Sequence, residues 1–246
     1  GMNVSFVDIN QDLVWEIYVT MVDMFSKNLR FQFPLNKTTI DFNDEILKSA
    51  FYLSGNKLFS RNNSKQEFYP IEQKVFDGGQ RGWSWGASFF DYDNDGDQDM
   101  YLANGWIEDS IVGKQANQFH IQSSGEWFHF PEKDKFTFSG FSRSVVAVDL
   151  NQDQLPDLIV SNLESPSRIF LNNSTSKNSW IKIQLKGSSS NSRGVGADVV
   201  VFPKNQKAQI KKVSCGIGYL GQEDTTLVFG LGQATKIDKL KVIWPN

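Results

Sequence analysis

Three stretches of the chain repeat one pattern, an apolar strand running into a nine-residue acidic loop and out into a second apolar strand. They are VSFVDINQDLVWEIYVT from Val4, FFDYDNDGDQDMYLAN from Phe89 and VAVDLNQDQLPDLIVSN from Val146. The loops open at Asp8, Asp91 and Asp149, so their spacings are 83 and 58 residues. A propeller-type sheet commonly needs about 40 to 60 residues, which leaves an insertion in the first interval. In the middle loop, Asp91, Asp93, Asp95, Asp97 and Asp99 occupy positions 1, 3, 5, 7 and 9, with Gly96 at position 6. Five like charges so close together repel unless a cation sits among them. A hard divalent ion with about six to eight oxygen ligands answers that need, and glycine permits the sharp turn that folds the ligands inward.

The opening is like that of a helix–loop–helix calcium site, but position 12 falls on Val19, Leu102 or Val160, inside a strand. The ninth residue is therefore expected to supply the closing carboxylate. The third loop offers Asp149, Asn151, Asp153 and Asp157, with the carbonyl of Leu155, and has Gln154 in place of the glycine. The first offers Asp8, Asn10, Asp12 and Glu16, with Leu13 at the turn position and Trp15 crowding it. Calcium is expected in the middle loop first, then the third, then the first, following carboxylate number and loop fit. The competing reading of each loop is a solvated acidic turn.

As DxDxDGxxD between strands, these loops resemble the FG-GAP/VCBS repeats of integrin-like β-propellers. GWSWGASFFDYDNDGDQDMYLANGW from Gly82 and SRSVVAVDLNQDQLPDLIVSN from Ser142 resemble the blades that precede an ASPIC/UnbV domain. NSRGVGADVVVF at Asn191, GIGYLGQ at Gly216, VFGLG at Val228 and VIWP at Val242 then resemble that domain itself, in a family that includes the animal cartilage acidic proteins. The resemblance implies an all-β chain. Three FG-GAP/VCBS-type blades over 1–175 form an incomplete ring, and a small β-sandwich or barrel follows over 176–246. It also implies that this is the C-terminal part of a larger protein.

The charge distribution marks the same boundary. Residues 1–175 hold 14 basic and 24 acidic side chains, and residues 176–246 hold 11 and 4, so the two parts carry −10 and +7. NDEILKSAFYLSGN from Asn43 has helical apolar spacing behind an Asn43 cap, which predicts one short helix near 43–53. NKLFSRNNSKQEFYP and NQFHIQSSGEWFHF read as hairpins that add outer strands. Past residue 176, alternation predicts five strands, beginning with Ile181, Ile183 and Leu185 on one face.

Other chemistry is thinly supplied. Cys215 is the single cysteine, which excludes an intrachain disulfide framework. No apolar run approaches the roughly 20 residues of a membrane helix. An acidic chain without a recognition motif speaks against nucleic acid. Gly82-Trp-Ser84-Trp-Gly86 matches G-x-S-x-G, but it runs straight into a strand and not into a helix, so blade packing is expected of Ser84. His120 and His129 lie in strands without a zinc motif and read as packed histidines. Glu108, Asp109 and Glu126 have no spacing that supports a glycosidase pair. The lysines 204, 207, 211, 212, 239 and 241 read as a solvated strand face, with polyanion binding as the sharper alternative.

The expectation is a calcium-stabilised, non-catalytic extracellular or cell-surface adhesion module, its export signal upstream of this stretch. Loops of this kind in extracellular modules bind calcium at about 10⁻⁴ to 10⁻³ M, far above cytosolic levels. Its protein or glycan partner is unidentified, and open blade edges make a homo-oligomer a further possibility. The alternatives are a carbohydrate-binding surface built on Trp83, Trp85, Trp106 and Trp127, and a hydrolase.

Overall fold

The computed structural model describes residues 2–21, 55–62, 67–71, 82–106, 115–130, 135–188 and 191–245. The helix expected near 43–53 lies outside them. Among the described residues the chain is all-β, its one helical element being the 3-10 turn Lys135–Thr137. No helix there is long and apolar enough to cross a membrane.

Each repeat nucleates an antiparallel sheet. In the first, β1 (Asn3–Val7) pairs β2 (Glu16–Thr20), followed by β3 (Lys57–Asn62) and β4 (Glu67–Pro70). In the second, β5 (Ser84–Phe90) pairs β6 (Asp99–Asn104). A short β7 (Gln115–Ala116) follows, and the hairpin β8 (Gln118–Ser123) and β9 (Glu126–His129) completes the four strands. β10 (Ser139–Gly140) pairs β7 and leads into the third sheet, β11 (Ser142–Val148), β12 (Asp157–Asn162) and β13 (Arg168–Phe170). Both hairpins read from the sequence are thus outer strands.

The sheets stack face to face. Val7, Tyr18 and Leu58 of the first meet Ala87, Met100 and Leu102 of the second, while Phe90, Tyr101, Ala103 and Phe119 meet Val145, Leu158 and Val160 of the third. β6 is covered on both sides, so all six of its residues are buried, which is why DMYLAN lacks polar alternation.

Polar contacts between neighbouring sheets repeat as strictly as the loops. At the acidic end, Gln11 Nε2 donates to Gly96 O at 2.6 Å, and Asn94 Nδ2 donates to Gln154 O at 3.1 Å, position 4 of one loop to position 6 of the next. At the opposite end, Asn56 donates to Ser84 Oγ, which donates to Asn104 Oδ1. Asn117 likewise donates to Ser142 Oγ, which donates to Asn162 Oδ1. Ser84, the would-be nucleophile, is fully buried as one link of such a chain.

The C-terminal strands are β14 (Ser179–Ile183), β15 (Asp198–Pro203), β16 (Gln209–Lys212), β17 (Leu227–Gly232) and β18 (Ile237–Ile243). β14 pairs β17 and the other three form β16-β15-β18. The two sheets enclose a core of Val199, Val201, Val213, Phe229 and Leu231 without closing into a barrel. From this module, residues 218–223 reach between β5 and β11. Tyr219 meets Trp85 with ring centroids 4.9 Å apart, and Glu223 accepts a hydrogen bond from Ser88.

β17 lies directly against the middle acidic loop. Gly232 N donates to Asn94 O at 2.9 Å, and a Cβ added at Gly230 would collide with the Asp91 carboxylate and sit 2.5 Å from the Asn94 backbone. Gly230→Ala should therefore destabilise the protein by about 1–3 kcal/mol, read from the urea midpoint. An unchanged midpoint would mean that the loop does not bear on β17.

Candidate metal loops and their surroundings

Three different sequences adopt one loop conformation. Positions 4 and 6 have positive φ in all of them: Gln11 and Leu13 at 58° and 65°, Asn94 and Gly96 at 61° and 103°, Gln152 and Gln154 at 63° and 74°. Leucine and glutamine are strained in this region, so surrounding bonds must hold them there. Side-chain oxygens do so. In the first two loops, the position-1 carboxylate accepts from the N–H groups of positions 5 and 6, at 3.0 and 3.0 Å from Asp8 and at 3.0 and 2.9 Å from Asp91. Position 3 accepts from position 5 in all three, and position 5 from position 7.

Position 9 has a role the spacing alone did not give. Both oxygens of Asp99 accept backbone N–H groups, from Tyr92 at 2.7 Å and from Gln122 of β8 at 2.9 Å. Asp157 accepts from Leu150 and Asn172, and Glu16 accepts from Ile9 N and Ser60 Oγ. All three are nearly or fully buried. The ninth carboxylate is thus a strut between its loop and the third strand of its sheet or the turn after it. Each oxygen keeps a second lone pair, so the strut leaves ligation open.

The loops differ where charge accumulates. In the first and third, position 3 is asparagine, and its amide donates to the position-5 carboxylate, Asn10 to Asp12 at 3.1 Å and Asn151 to Asp153 at 2.8 Å. In the middle loop both positions are aspartate, so no such bond exists. Asp91, Asp93 and Asp95 bring carboxylate oxygens within 4.8 Å of one another, the one such group among the described residues, and Asp97 Oδ1 is buried without a partner. This all-oxygen donor set fits a hard divalent cation, whose charge would offset the mutual repulsion.

Titration reflects the same crowding. Burial pushes Asp91 up to about 7, with Asp95 and Asp93 adding to it and Lys211 opposing. Burial also raises Asp8 to about 6 and Glu16 to about 7, and it drives Asp97 and Asp99 up, with neighbouring carboxylates adding to the effect.

The C-terminal module sets a lysine against each loop. Lys182 Nζ lies 2.7 Å from Asp149 Oδ2, and Lys207 Nζ reaches Asn10 O at 3.5 Å. Lys211 donates to Val228 O at 2.6 Å, half-buried near Asp91, and Lys212 sits over the Trp15 ring. A cavity of about 380 Å³ remains at this junction, lined among others by Asp8, Asp91, Asp149, Lys182, Lys211 and Glu223. Of the lysines read as a solvated face, 204, 207, 239 and 241 are exposed, whereas Lys211 and Lys212 turn partly inward against the loops. The signal was available in the opposite charges of the two parts.

The tryptophans gather at the other end. Trp106 stacks on Trp83 and Trp85, with centroids 4.3 and 5.3 Å apart, and Arg143 lies 4.3 Å from the Trp85 ring centre. Trp83 and Trp85 are buried, so their flat faces are spent on one another. Trp127 stands apart, against the core between the first two sheets. Glu108 and Asp109 lie outside the described residues.

Comparison with known proteins finds one matching family model and several similar proteins. The family model described as ASPIC and UnbV matches residues 187–246. Cartilage acidic protein 1 of Xenopus tropicalis is 27% identical over 164 residues, 63% of this chain and 24% of that protein. The proteins of that name from Mus musculus and Homo sapiens are each 30% identical over 104 residues, 41% of this chain and 16% and 15% of their own lengths. The chain thus spans about a quarter or less of the curated relatives it matches.

The raised carboxyl groups hold protons in the folded state that the unfolded chain has already released. Their stabilisation is complete below about pH 4 and fades as pH rises through about 6 to 7. His120 works in the opposite sense, because burial and His129 lower it to about 3, so its contribution fades as pH falls from about 6.5. With several carboxyl groups against one histidine, the metal-free protein should lose stability between about pH 4 and 7. Calcium should remove much of that loss, since it binds the ionised loop. Urea midpoints across this range in chelator and in calcium test it; a midpoint in chelator that rises with pH would refute it.

Proposed function

We propose that this chain is a calcium-stabilised, non-catalytic interaction module of an extracellular or cell-surface protein, built from FG-GAP/VCBS-type propeller blades joined to an ASPIC/UnbV domain. The observation that carries the reading is the middle loop, where three carboxylates converge and no side-chain amide donates from position 3 to position 5 as it does in the other two loops. Asp91, Asp93, Asp95, Asp97 and Asp99 would hold calcium there, and the ion would satisfy the position-5 carboxylate that in the other two loops accepts an asparagine amide. Asp149, Asn151, Asp153, the Leu155 carbonyl and Asp157 form a lesser site that Lys182 already partly neutralises. Asp8, Asn10, Asp12 and Glu16 form the least. The blade reading is supported by the recurrent loop-to-loop and serine–asparagine contacts, which relate each sheet to the next by the same step.

An extracellular setting is supported by similarity to cartilage acidic protein 1 and by the weak calcium affinity typical of such loops in extracellular modules. The partner is a protein or glycan bound on a surface other than the buried tryptophan stack. A non-catalytic role is supported by Ser84, which is committed to Asn56 and Asn104 and has no imidazole beside it among the described residues.

A ligand that binds only the folded state stabilises it by RT ln(1 + [L]/Kd), about 2.7 kcal/mol at one hundred times Kd. Asp93→Asn combined with Asp95→Asn should abolish most of the calcium-dependent rise in melting temperature. Asp8→Asn with Asp12→Asn should leave it nearly intact. An equal calcium shift in the wild type and the Asp93, Asp95 variant would overturn the assignment.

A further inference from the structure

The chain's two histidines, nine residues apart in sequence, face each other. His120 on β8 and His129 on β9 are direct register partners, with ring centroids 4.6 Å apart and planes 35° from parallel. His120 is buried at the edge of the core between the first two sheets, and His129 is exposed. Gln118 Oε1 lies 3.2 Å from His120 Nε2, and an amide oxygen can only accept. The His120 proton therefore sits on Nε2, and its lone pair is on Nδ1. That nitrogen has no hydrogen-bond partner among the described residues, and neither nitrogen of His129 has one there.

From this geometry we propose a second metal site, unrelated to the acidic loops, in which His120 and His129 chelate one borderline d-block dication such as Zn²⁺ or Cu²⁺. Imidazole nitrogen suits these ions, whereas calcium and magnesium require oxygen. Zn–N bonds of about 2.0–2.1 Å in tetrahedral geometry place two ligating nitrogens about 3.3 Å apart. Ring centroids 4.6 Å apart are compatible with that separation. The Gln118 bond fixes the His120 tautomer in the way that outer partners orient ligating histidines generally. Because burial keeps His120 neutral, protons do not compete for it near neutral pH. Two protein ligands leave the remaining positions to solvent or to a side chain of a bound partner. The site thus sits where an exposed hairpin can join another surface through the ion.

The test uses the whole chain carrying Cys215→Ser, since the exposed thiol is itself a zinc ligand. Calcium is held in excess so that the acidic loops do not take up zinc. Isothermal titration with Zn²⁺ is compared between this protein and the same protein carrying His129→Asn, an exposed position at which the core is undisturbed. The expected result is one equivalent of zinc lost in the variant. A Cu²⁺ electron paramagnetic resonance spectrum should also show coupling to two nitrogens in the parent and to fewer in the variant. Equal zinc stoichiometry in the two proteins, or a copper spectrum with oxygen ligands alone, would overturn the proposal. Because the readout is the difference between proteins that share the same acidic loops, it is independent of whether those loops bind calcium.

Discussion

The burial of the middle acidic loop beneath the C-terminal module is the constraint to which the rest of the structure answers. Asp91 is nearly inaccessible, with the Gly230–Gly232 segment of β17 on one side and the two neighbouring loops on the others. An isolated carboxylate in such surroundings would be strongly disfavoured. The fold compensates by local means, with N–H donors from Asp95 and Gly96 and the half-buried Lys211 nearby, and leaves a carboxylate cluster that could hold a cation. Glycine at 230 follows from the same closeness, because there is no room for a methyl group between β17 and Asp91.

Rigidity is propagated by repetition. Each ninth-position carboxylate ties its loop to the outer part of its own sheet, the fourth-position side chains of the first two loops tie each to the next loop, and serine–asparagine chains tie the opposite ends. Residues 218–223 of the C-terminal module run alongside these ties between β5 and β11, from Glu223 near the acidic end to Tyr219 against the tryptophan stack. Buried polar links thus accompany the apolar cores that join each sheet to the next, and each is costly to leave unpaired.

Much of this was legible in the sequence, and what was not has identifiable causes. The loops, their flanking strands, both hairpins and all five C-terminal strands follow from period-two alternation and turn residues. Carboxylate spacing pointed to the middle loop because charge density is a local property. The bracing role of Asp99 was hidden, since a carboxylate placed to ligate and one placed to brace look alike until its Gln122 partner, 23 residues away, is known. Leu13 and Gln154 suggested poor loops because positive φ favours glycine, yet both residues adopt it, held by Asp8 and Asp149. The opposite charges of the two parts hinted at the docked lysines but not at which loop each one meets, and the histidine pairing stayed hidden, because strand register and module docking decide which faces meet.

The same contrast accounts for the charge division along the chain. An acidic part of −10 and a basic part of +7 would be a curiosity in two independent domains. Here the lysines 182, 207, 211 and 212 are distributed over all three loops. A fixed ammonium can neutralise one carboxylate from the side, as Lys182 does at Asp149, but it cannot satisfy three oxygens converging on a point. Lysine carries a single charge and donates through three N–H bonds, whereas a dication accepts about six to eight oxygens. The loop with the most carboxylates is therefore the one where a lysine nearby, Lys211, lowers the cost without removing it, and where a bound ion has most to contribute.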